Sequence, residues 1–320
     1  MDAGYKESAK LLGKLERKIH REYSKAVKEM NGKVDAYFKK FKAQDTLKQA
    51  QVKSGQLSKQ EYKQWRVDKM VTGKRWIDMR NTLAQDLQNT NKIARSIANG
   101  YLPEAYAIHH NYGTYEIESG YGIDTSYTLY DRQTVERLIR DNPEILPAMG
   151  KAMKKKIQEG KALKWRQGQV QSVVLQSVLQ GESIPNMAKR ISETLGVKDE
   201  KAAIRYARTA MTGAEAAGRM DSYKRAQDLG IELEQEWEAT PDGRTRDSHI
   251  DLDGERQPVG HVFSNGCMYP GDPGGAPEEV YNCRCRLVAA LKGYNYKNDS
   301  RWTRLPDGIT YDDWKAHKVK

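Results

Sequence analysis

The residues of this 320-residue chain that are best suited to chemistry lie in its last third. Cys283 and Cys285 stand one residue apart, His249 precedes them, and Cys267 is the third cysteine. Three thiolates and one imidazole form a tetrahedral ligand set for zinc, so these four residues predict a structural zinc site. The usual zinc spacing is C-x2-C. The alternative is therefore that the cysteines are small buried apolar residues and the histidine a local hydrogen-bonding group.

The acidic segment "DGRTRDSHIDLDGERQ" around His249 suggests two other chemistries. In a metal-dependent nuclease, His249 would be the base and three aspartates the metal ligands: Asp247, Asp251 and Asp253. As a calcium loop the segment fails, because its first position would be His249 and its twelfth Gly260 instead of glutamate. Aspartate and glycine between strands are above all turn formers. A nuclease remains the alternative function.

Two segments near these residues alternate with the period of a β-strand. In "IELEQEWEAT", Ile231, Leu233 and Trp237 alternate with glutamates, and "CRCRLVAAL" alternates similarly. The two are predicted to pair antiparallel across the intervening loop. Residues two apart on a strand face the same side, so the thiols of Cys283 and Cys285 should point together. A disulfide closing so small a ring would be strained.

Helices dominate the rest of the chain. Apolar residues recur every three or four positions from Leu12 to Phe41 and predict one long amphipathic helix. Its apolar stripe needs a partner, either the later segment around Trp65, Met70 and Trp76 or another subunit. The predicted fold class is α+β, with long N-terminal helices followed by a C-terminal domain of helices and a small antiparallel sheet.

Four regions are expected along the chain. Residues 1–100 form a basic, extended helical region, and residues 101–165 a connection rich in Tyr and Gly, followed by helices. Tyrosines from 101 to 130 show no helical period and suit an irregular connection. Residues 166–292 form the C-terminal domain, in which Gly196 should end a short helix, and residues 293–320 a tail.

The positive charge is concentrated near the start of the chain. The net charge is +11, and residues 1–75 hold 20 basic and 9 acidic residues, so they account for the whole excess. Such a segment indicates an anionic partner, unless it is only a solvated helix face. The candidate contacts for DNA or a protein partner are Lys14, Arg17, Lys18, Arg21, Lys25, Lys28, Lys39, Lys40 and Lys42. No apolar run reaches the ~20 residues of a membrane span, so no membrane partner is expected.

One combination of motifs resembles a known family. The chain carries "ARTAMTGAEAAGRMDSYKRAQDLGI", then "EQEWEATPDGRTRDSHIDLDGERQPVG", then "PGDP" and "NCRC". Together they resemble the C-terminal domain of phage head morphogenesis proteins, the Mu F-like, SPP1-type minor head protein family, over residues 166 to 290. The matching positions are Arg246, His249, Asp253, Gly254, Asn282, Cys283 and Cys285. Cys267 lies outside the shared pattern, so a metal held by the other three would need a fourth ligand from an aspartate or a water.

The resemblance implies a non-enzymatic virion component. Such a protein would sit inside the phage head, associate with the portal protein in the procapsid, and help head morphogenesis and the handling of packaged DNA. Scaffold or major capsid protein are further expected partners, and the host cytoplasm is the expected location during assembly. The basic N-terminal region would contact double-stranded DNA through phosphates without sequence specificity, or dock on an acidic protein surface.

Overall fold

The computed structural model describes residues 2–146 and 155–319, with the side chains of 155–161 excepted. Helices dominate these residues, and the strands form two small antiparallel sheets, which confirms the α+β prediction. The helices are α1 (Ala3–Lys39), α2 (Lys42–Lys53), α3 (Lys59–Met70), α4 (Gly73–Asn99), α5 (Leu102–Tyr121), α6 (Arg132–Asp141), α7 (Lys155–Leu179), α8 (Ile184–Asp228), α9 (Asp247–Asp251), α10 (Pro277–Val280) and α11 (Tyr311–Lys318). None of the described helices is both long and apolar enough to cross a membrane.

The strands are β1 (Ile123–Asp124), β2 (Leu233–Glu238), β3 (Arg256–Pro258), β4 (Arg286–Leu291) and β5 (Thr303–Arg304). The order in the larger sheet is β3-β2-β4, and β1 pairs with β5. In the antiparallel register Trp237 faces Leu287 and Glu236 faces Val288. Side chains of β2 alternate between buried and half-buried. The alternating pattern therefore predicted both the strand and its partner, but β4 begins only at Arg286, so Cys283 and Cys285 precede the strand on which they were expected.

The described residues fall into two compact units. Those of Met1–Glu16, Ile97–Lys151 and Arg205–Lys320 form unit 1, and those of Arg17–Ser96 and Ala152–Ile204 form unit 2. Each unit collects stretches that are distant in sequence. The boundaries predicted near residues 100, 165 and 292 stay a prediction, and residues 147–154 of the predicted 101–165 region lie outside the described residues.

Unit 2 is a helical core built around the predicted amphipathic stripe. Met30, Val34 and Phe38 of α1 pack with Met70 and Trp76. The partner of the stripe is therefore the later segment of the chain, the first of the two predicted alternatives. The opposite side of this core comes from α7 and α8, through Val170, Val174, Val178, Met187 and Ile191. Burying such side chains stabilises a fold by about 1.5–3 kcal/mol each, so this part of the stripe has a partner within the chain.

Unit 1 holds the sheet and its helices. Trp237 of β2 and Leu287 of β4 are fully buried with Tyr223 of α8 and Ile117 of α5. The C-terminal residues add a second aromatic cluster, in which the buried Trp314 of α11 packs on Tyr127. Its indole nitrogen donates to Glu118 Oε2 at 2.7 Å. Unit 1 therefore unites the sheet, α5 and the C-terminal helix.

The interpretation of residues 101 to 130 as irregular was wrong. Residues Leu102–Tyr121 form α5, and fourteen of its twenty residues are buried. A helix that is buried on nearly all sides shows no amphipathic period, so the periodicity test could not detect it. Pro103 in the first turn, which suggested a break, is well tolerated there because the amide it lacks has no helical partner.

The helix expected to end at Gly196 instead continues through it. The helix α8 runs unbroken from Ile184 to Asp228. A Cβ placed at Gly196 would lie 2.2 Å from Val27 Cγ2 of α1. The glycine therefore permits close contact between two helices of unit 2 and does not terminate one, and its cost to helix propensity of about 1 kcal/mol is offset by that packing.

A buried charge network joins α1, α5 and α8 within unit 1. Arg219 of α8 is fully buried and donates to Asp2 Oδ2 at 2.8 Å and to Glu116 Oε2 at 3.2 Å. Its guanidinium lies between the rings of Tyr5 and Tyr112, 4.8 and 4.9 Å from their centroids. The network holds the first turn of α1 against the two other helices.

A pH dependence of stability follows from Glu215, which belongs to the same cluster. Burial raises the pKa of Glu215 to about 7, although Arg219 opposes the rise. Between pH 4.5 and 7 the folded protein keeps a proton that the unfolded chain has lost. The stabilisation is complete at low pH and is lost as pH rises through this window. From pH 5 to pH 8 the free energy of unfolding of the wild type should fall relative to Glu215→Gln, by on the order of 2 kcal/mol.

Urea unfolding of both proteins at the two pH values measures this difference. The exposed carboxylate Glu278, changed to Gln, serves as the control for the loss of one carboxylate. Parallel profiles for wild type and Glu215→Gln would contradict the assignment.

Candidate metal and structural site

His249 is the centre of the candidate site. It lies on the five-residue helix α9 and is 1% exposed. Its Nδ1 is 3.3 Å from Cys285 Sγ and 3.7 Å from Cys283 Sγ, and its Nε2 is 3.0 Å from Glu279 Oε2. The ring meets the indole of Trp237 edge to face at 5.2 Å. Both nitrogens of the imidazole therefore have polar partners inside the core of unit 1.

The segment before β4 positions the two thiols. Asn282 adopts a left-handed conformation with φ +56°, and its amide donates to Thr209 Oγ1 at 3.0 Å. The carbonyl of Cys283 accepts from Thr212 Oγ1 at 3.0 Å. Both threonines belong to α8. The bend at Asn282 and these contacts turn both thiols toward His249, while the intervening Arg284 points outward and pairs with Asp242.

Glu279 orients the imidazole from the other side. It lies on the short helix α10, and it also accepts from Asn265 Nδ2 and from Ser248 Oγ, each at 3.2 Å. Burial alone would raise the pKa of Glu279, but hydrogen bonds and the neighbouring His249 hold it below its ordinary value. A carboxylate at Nε2 favours the tautomer with its proton on Nε2 and its lone pair on Nδ1.

The contact between the Cys283 and Cys285 thiols shifts their pKa values in opposite directions. The hydrogen bond from Cys283 lowers the pKa of the Cys285 thiol below its ordinary value, assisted by His249, and the same interaction raises the pKa of Cys283. The cluster therefore favours one thiolate, the form in which cysteine binds metals. All three cysteines are free thiols.

The other positions of the family pattern shape the backbone around the cluster. Arg246 Nη2 donates to the carbonyl of Tyr281 and thereby joins the start of α9 to the segment that carries the cysteines. Asp253 Oδ1 accepts from the Ala239 amide at 2.8 Å. Gly254 has φ +79° and donates to the Trp237 carbonyl at 2.8 Å. These contacts tie the loop after β2 to the sheet.

A pair of aspartate variants tests the structural role of Asp253 in this loop. Asp253→Ala should lower the free energy of unfolding by about 1–2 kcal/mol, because the Ala239 amide loses a charged acceptor. Asp251→Ala should change it by less than about 0.5 kcal/mol, because that exposed side chain does not hold the Ala239 amide. Urea unfolding followed by tryptophan fluorescence measures both. Equal effects of the two substitutions would contradict the role given to Asp253.

Cys267 does not join the cluster. In the part of the chain that the structure describes, the group of potential metal ligands around this site consists of His249, Cys283 and Cys285. Cys267 is buried against Gly275, where an added Cβ would lie 2.5 Å from its Sγ. Burial raises the pKa of Cys267 to about 11. Of the four ligands predicted for zinc, the structure brings three together.

The three aspartates of the nuclease hypothesis differ from His249 in their burial. Asp247, Asp251 and Asp253 are exposed, whereas His249 is buried with both ring nitrogens engaged. Glu279, which the imidazole contacts, was missed in the sequence. Its neighbour Glu278 is exposed, and only the turn of α10 distinguishes the two.

The nine basic residues suggested as contacts for DNA or a protein are all exposed. They lie on α1, at the start of α2 and in the link between these helices. The apolar residues of α1 face the core instead, so the helix separates a packed face from a charged one.

Comparison with known proteins shows that this helix-rich α+β chain resembles proteins of phage heads. Residues 168–288 match the family described as Phage Mu protein F like protein. The Minor head protein GP7 of Bacillus phage SPP1 is 23% identical over 321 residues, which cover 96% of this chain and 94% of that protein. The two matches support a phage minor head protein family for this chain, as the sequence motifs indicated.

Two other relatives share a shorter region. The NAD(+)--arginine ADP-ribosyltransferase EFV of Enterococcus faecalis is 27% identical over 64% of this chain, and an uncharacterized protein of Haemophilus influenzae is 27% identical over 62%. The chain spans 42% and 39% of the lengths of these two relatives. No solved structure matches the chain.

Proposed function

We propose that this protein associates with the portal inside the procapsid and assists head morphogenesis and the handling of packaged DNA, without enzymatic activity. The similarity to a minor head protein along almost the full length of both chains carries the proposal. Portal protein is the expected main partner, with scaffold or major capsid protein as further partners. The protein would assemble in the host cytoplasm and remain in the virion.

The geometry around His249 supports a structural role. A general base must reach the proton that it removes, but the His249 side chain is 1% exposed and its nitrogens face thiols and Glu279. The ADP-ribosyltransferase is a relative of which this chain covers only 42%, so its activity does not carry over.

The exposed face of α1 supports contact with DNA. Arg21, Lys25 and Lys28 are spaced by four and three residues, which places them on one side of the helix. A row of cations neutralises phosphates and releases counterions, so binding should weaken steeply with salt. The same surface would serve an acidic protein partner, and the assay below distinguishes the two.

A matched pair of triple variants tests the DNA contact. Replacing Arg21, Lys25 and Lys28 by Gln should reduce the magnitude of the negative slope of log K against log salt by about 3, as expected for three lost phosphate contacts. The control replaces three exposed lysines of α8 in the same unit: Lys189, Lys198 and Lys201. Equal losses in both variants would show that only overall charge matters, and unchanged binding in the α1 variant would remove this face from the DNA interface.

Portal association is tested by co-expression. The protein should co-purify with the ring-forming portal protein of its own phage, and the complex should survive nuclease treatment. Failure to co-purify with the assembled ring would refute portal association, while the DNA assay would stand independently.

Absence of catalysis is tested with linear duplex DNA and Mg²⁺ or Mn²⁺. The DNA should remain intact under conditions in which it is bound. Cleavage that disappears in His249→Ala would establish the alternative, a metal-dependent nuclease.

A further inference from the structure

We propose that His249, Cys283 and Cys285 bind one zinc ion, with Glu279 holding the imidazole through its other nitrogen. The inference does not depend on the proposed function. It differs from the four-ligand site suggested by residue types alone in two ways. Cys267 is not a ligand, and Glu279 contacts the imidazole instead of the metal.

The spacing of the three donor atoms fits a tetrahedral ion. With Zn–S bonds of about 2.3 Å and a Zn–N bond of about 2.0 Å, tetrahedral angles place S and N about 3.6 Å apart. The distances from Nδ1 of His249 are 3.3 Å to Cys285 Sγ and 3.7 Å to Cys283 Sγ. All three donors lie within 4.8 Å of one another. The donors thus need little movement to bind zinc.

The orientation of the imidazole gives a second, independent argument. Histidine ligands of zinc commonly donate their other N–H to a carboxylate, which directs the lone pair at the metal. Glu279 occupies this position 3.0 Å from Nε2, and Asn265 holds the carboxylate in turn. With Glu279 on Nε2, the lone pair of Nδ1 is left to face the two thiols.

The chemistry of the ligands selects the metal. Two thiolates and an imidazole suit zinc, whereas magnesium and calcium prefer oxygen. Three protein ligands leave one tetrahedral position for water. The three side chains are only 1%, 2% and 3% exposed. Because His249 lies on α9 and the two cysteines precede β4, the ion would join these two segments.

Metal analysis of the full-length protein tests the proposal. Protein purified without a histidine tag and without chelator should contain about one zinc per chain. His249→Asn, Cys283→Ser and Cys285→Ser should each lose most of the zinc. Cys267→Ser is the matched control, a buried cysteine changed in the same way, and should keep it. Glu279→Gln should retain zinc but bind it about 10- to 100-fold more weakly in competition with a chelator.

Cobalt provides a readout that does not depend on the stability of the variants. Wild-type protein stripped of metal and loaded with Co²⁺ should show a thiolate-to-cobalt charge-transfer band and the intense visible bands of tetrahedral cobalt. Cys267→Ser should show the same spectrum. Folded wild-type protein without zinc and without these bands would overturn the proposal. So would zinc retained in the double variant Cys283→Ser/Cys285→Ser, or zinc lost in Cys267→Ser with its circular dichroism unchanged.

Discussion

Replacement of Arg219 by methionine is expected to lower the free energy of unfolding by about 3–5 kcal/mol, the usual cost of removing one partner from a buried ion pair. The side chain is 0% exposed and its donors reach Asp2, Glu116 and His109. Methionine fills similar volume but leaves the carboxylates without their cation. The loss therefore comes from uncompensated charge more than from an empty space.

The matched control is Arg208→Met on the same helix. Arg208 pairs with Glu16 at 2.6 Å, but its side chain is 52% exposed, so water screens the pair. Its loss should cost about 0–1 kcal/mol. Urea unfolding followed by tryptophan fluorescence compares the two variants. An effect of Arg219→Met no larger than that of Arg208→Met would mean that the network contributes nothing beyond a surface pair.

Replacement of Gly218 by alanine should destabilise the protein by about 1–3 kcal/mol, even though alanine is the better helix former. A Cβ at Gly218 would lie 2.4 Å from the carbonyl oxygen of Tyr106 and 3.1 Å from the amide nitrogen of His110. These are backbone atoms of α5, so no side-chain rotation can relieve the clash. The two helices must separate, and the buried residues between them lose contact.

Gly32→Ala is the control, for which the expected change in stability has the opposite sign. Gly32 lies inside α1, is exposed, and a Cβ there would meet nothing within 4 Å. Alanine should therefore stabilise the protein by about 0.5–1 kcal/mol through helix propensity. Thermal unfolding of both variants gives the comparison. Stabilisation by Gly218→Ala would show that α5 and α8 are not in close backbone contact.

Local patterns were sufficient where one face of an element is buried and the other exposed. The stripe from Leu12 to Phe41 predicted α1, and the alternation around Trp237 predicted β2. Local patterns did not reveal α5, because a helix that is buried on all sides has no amphipathic period. They failed at Gly196 as well, because a glycine that ends a helix and one that admits a neighbouring helix look the same in the sequence.

The residue types alone determined the ligand chemistry of the candidate site, the concentration of positive charge near the start of the chain, and the motif of the phage minor head protein family. Only the tertiary structure decided which groups meet. It brought Glu279 to His249, left Cys267 outside the group of ligands, and buried Arg219 among carboxylates. The physical reason is that periodicity reports which face of an element is buried, whereas contacts between distant segments depend on how loops and helices pack in three dimensions.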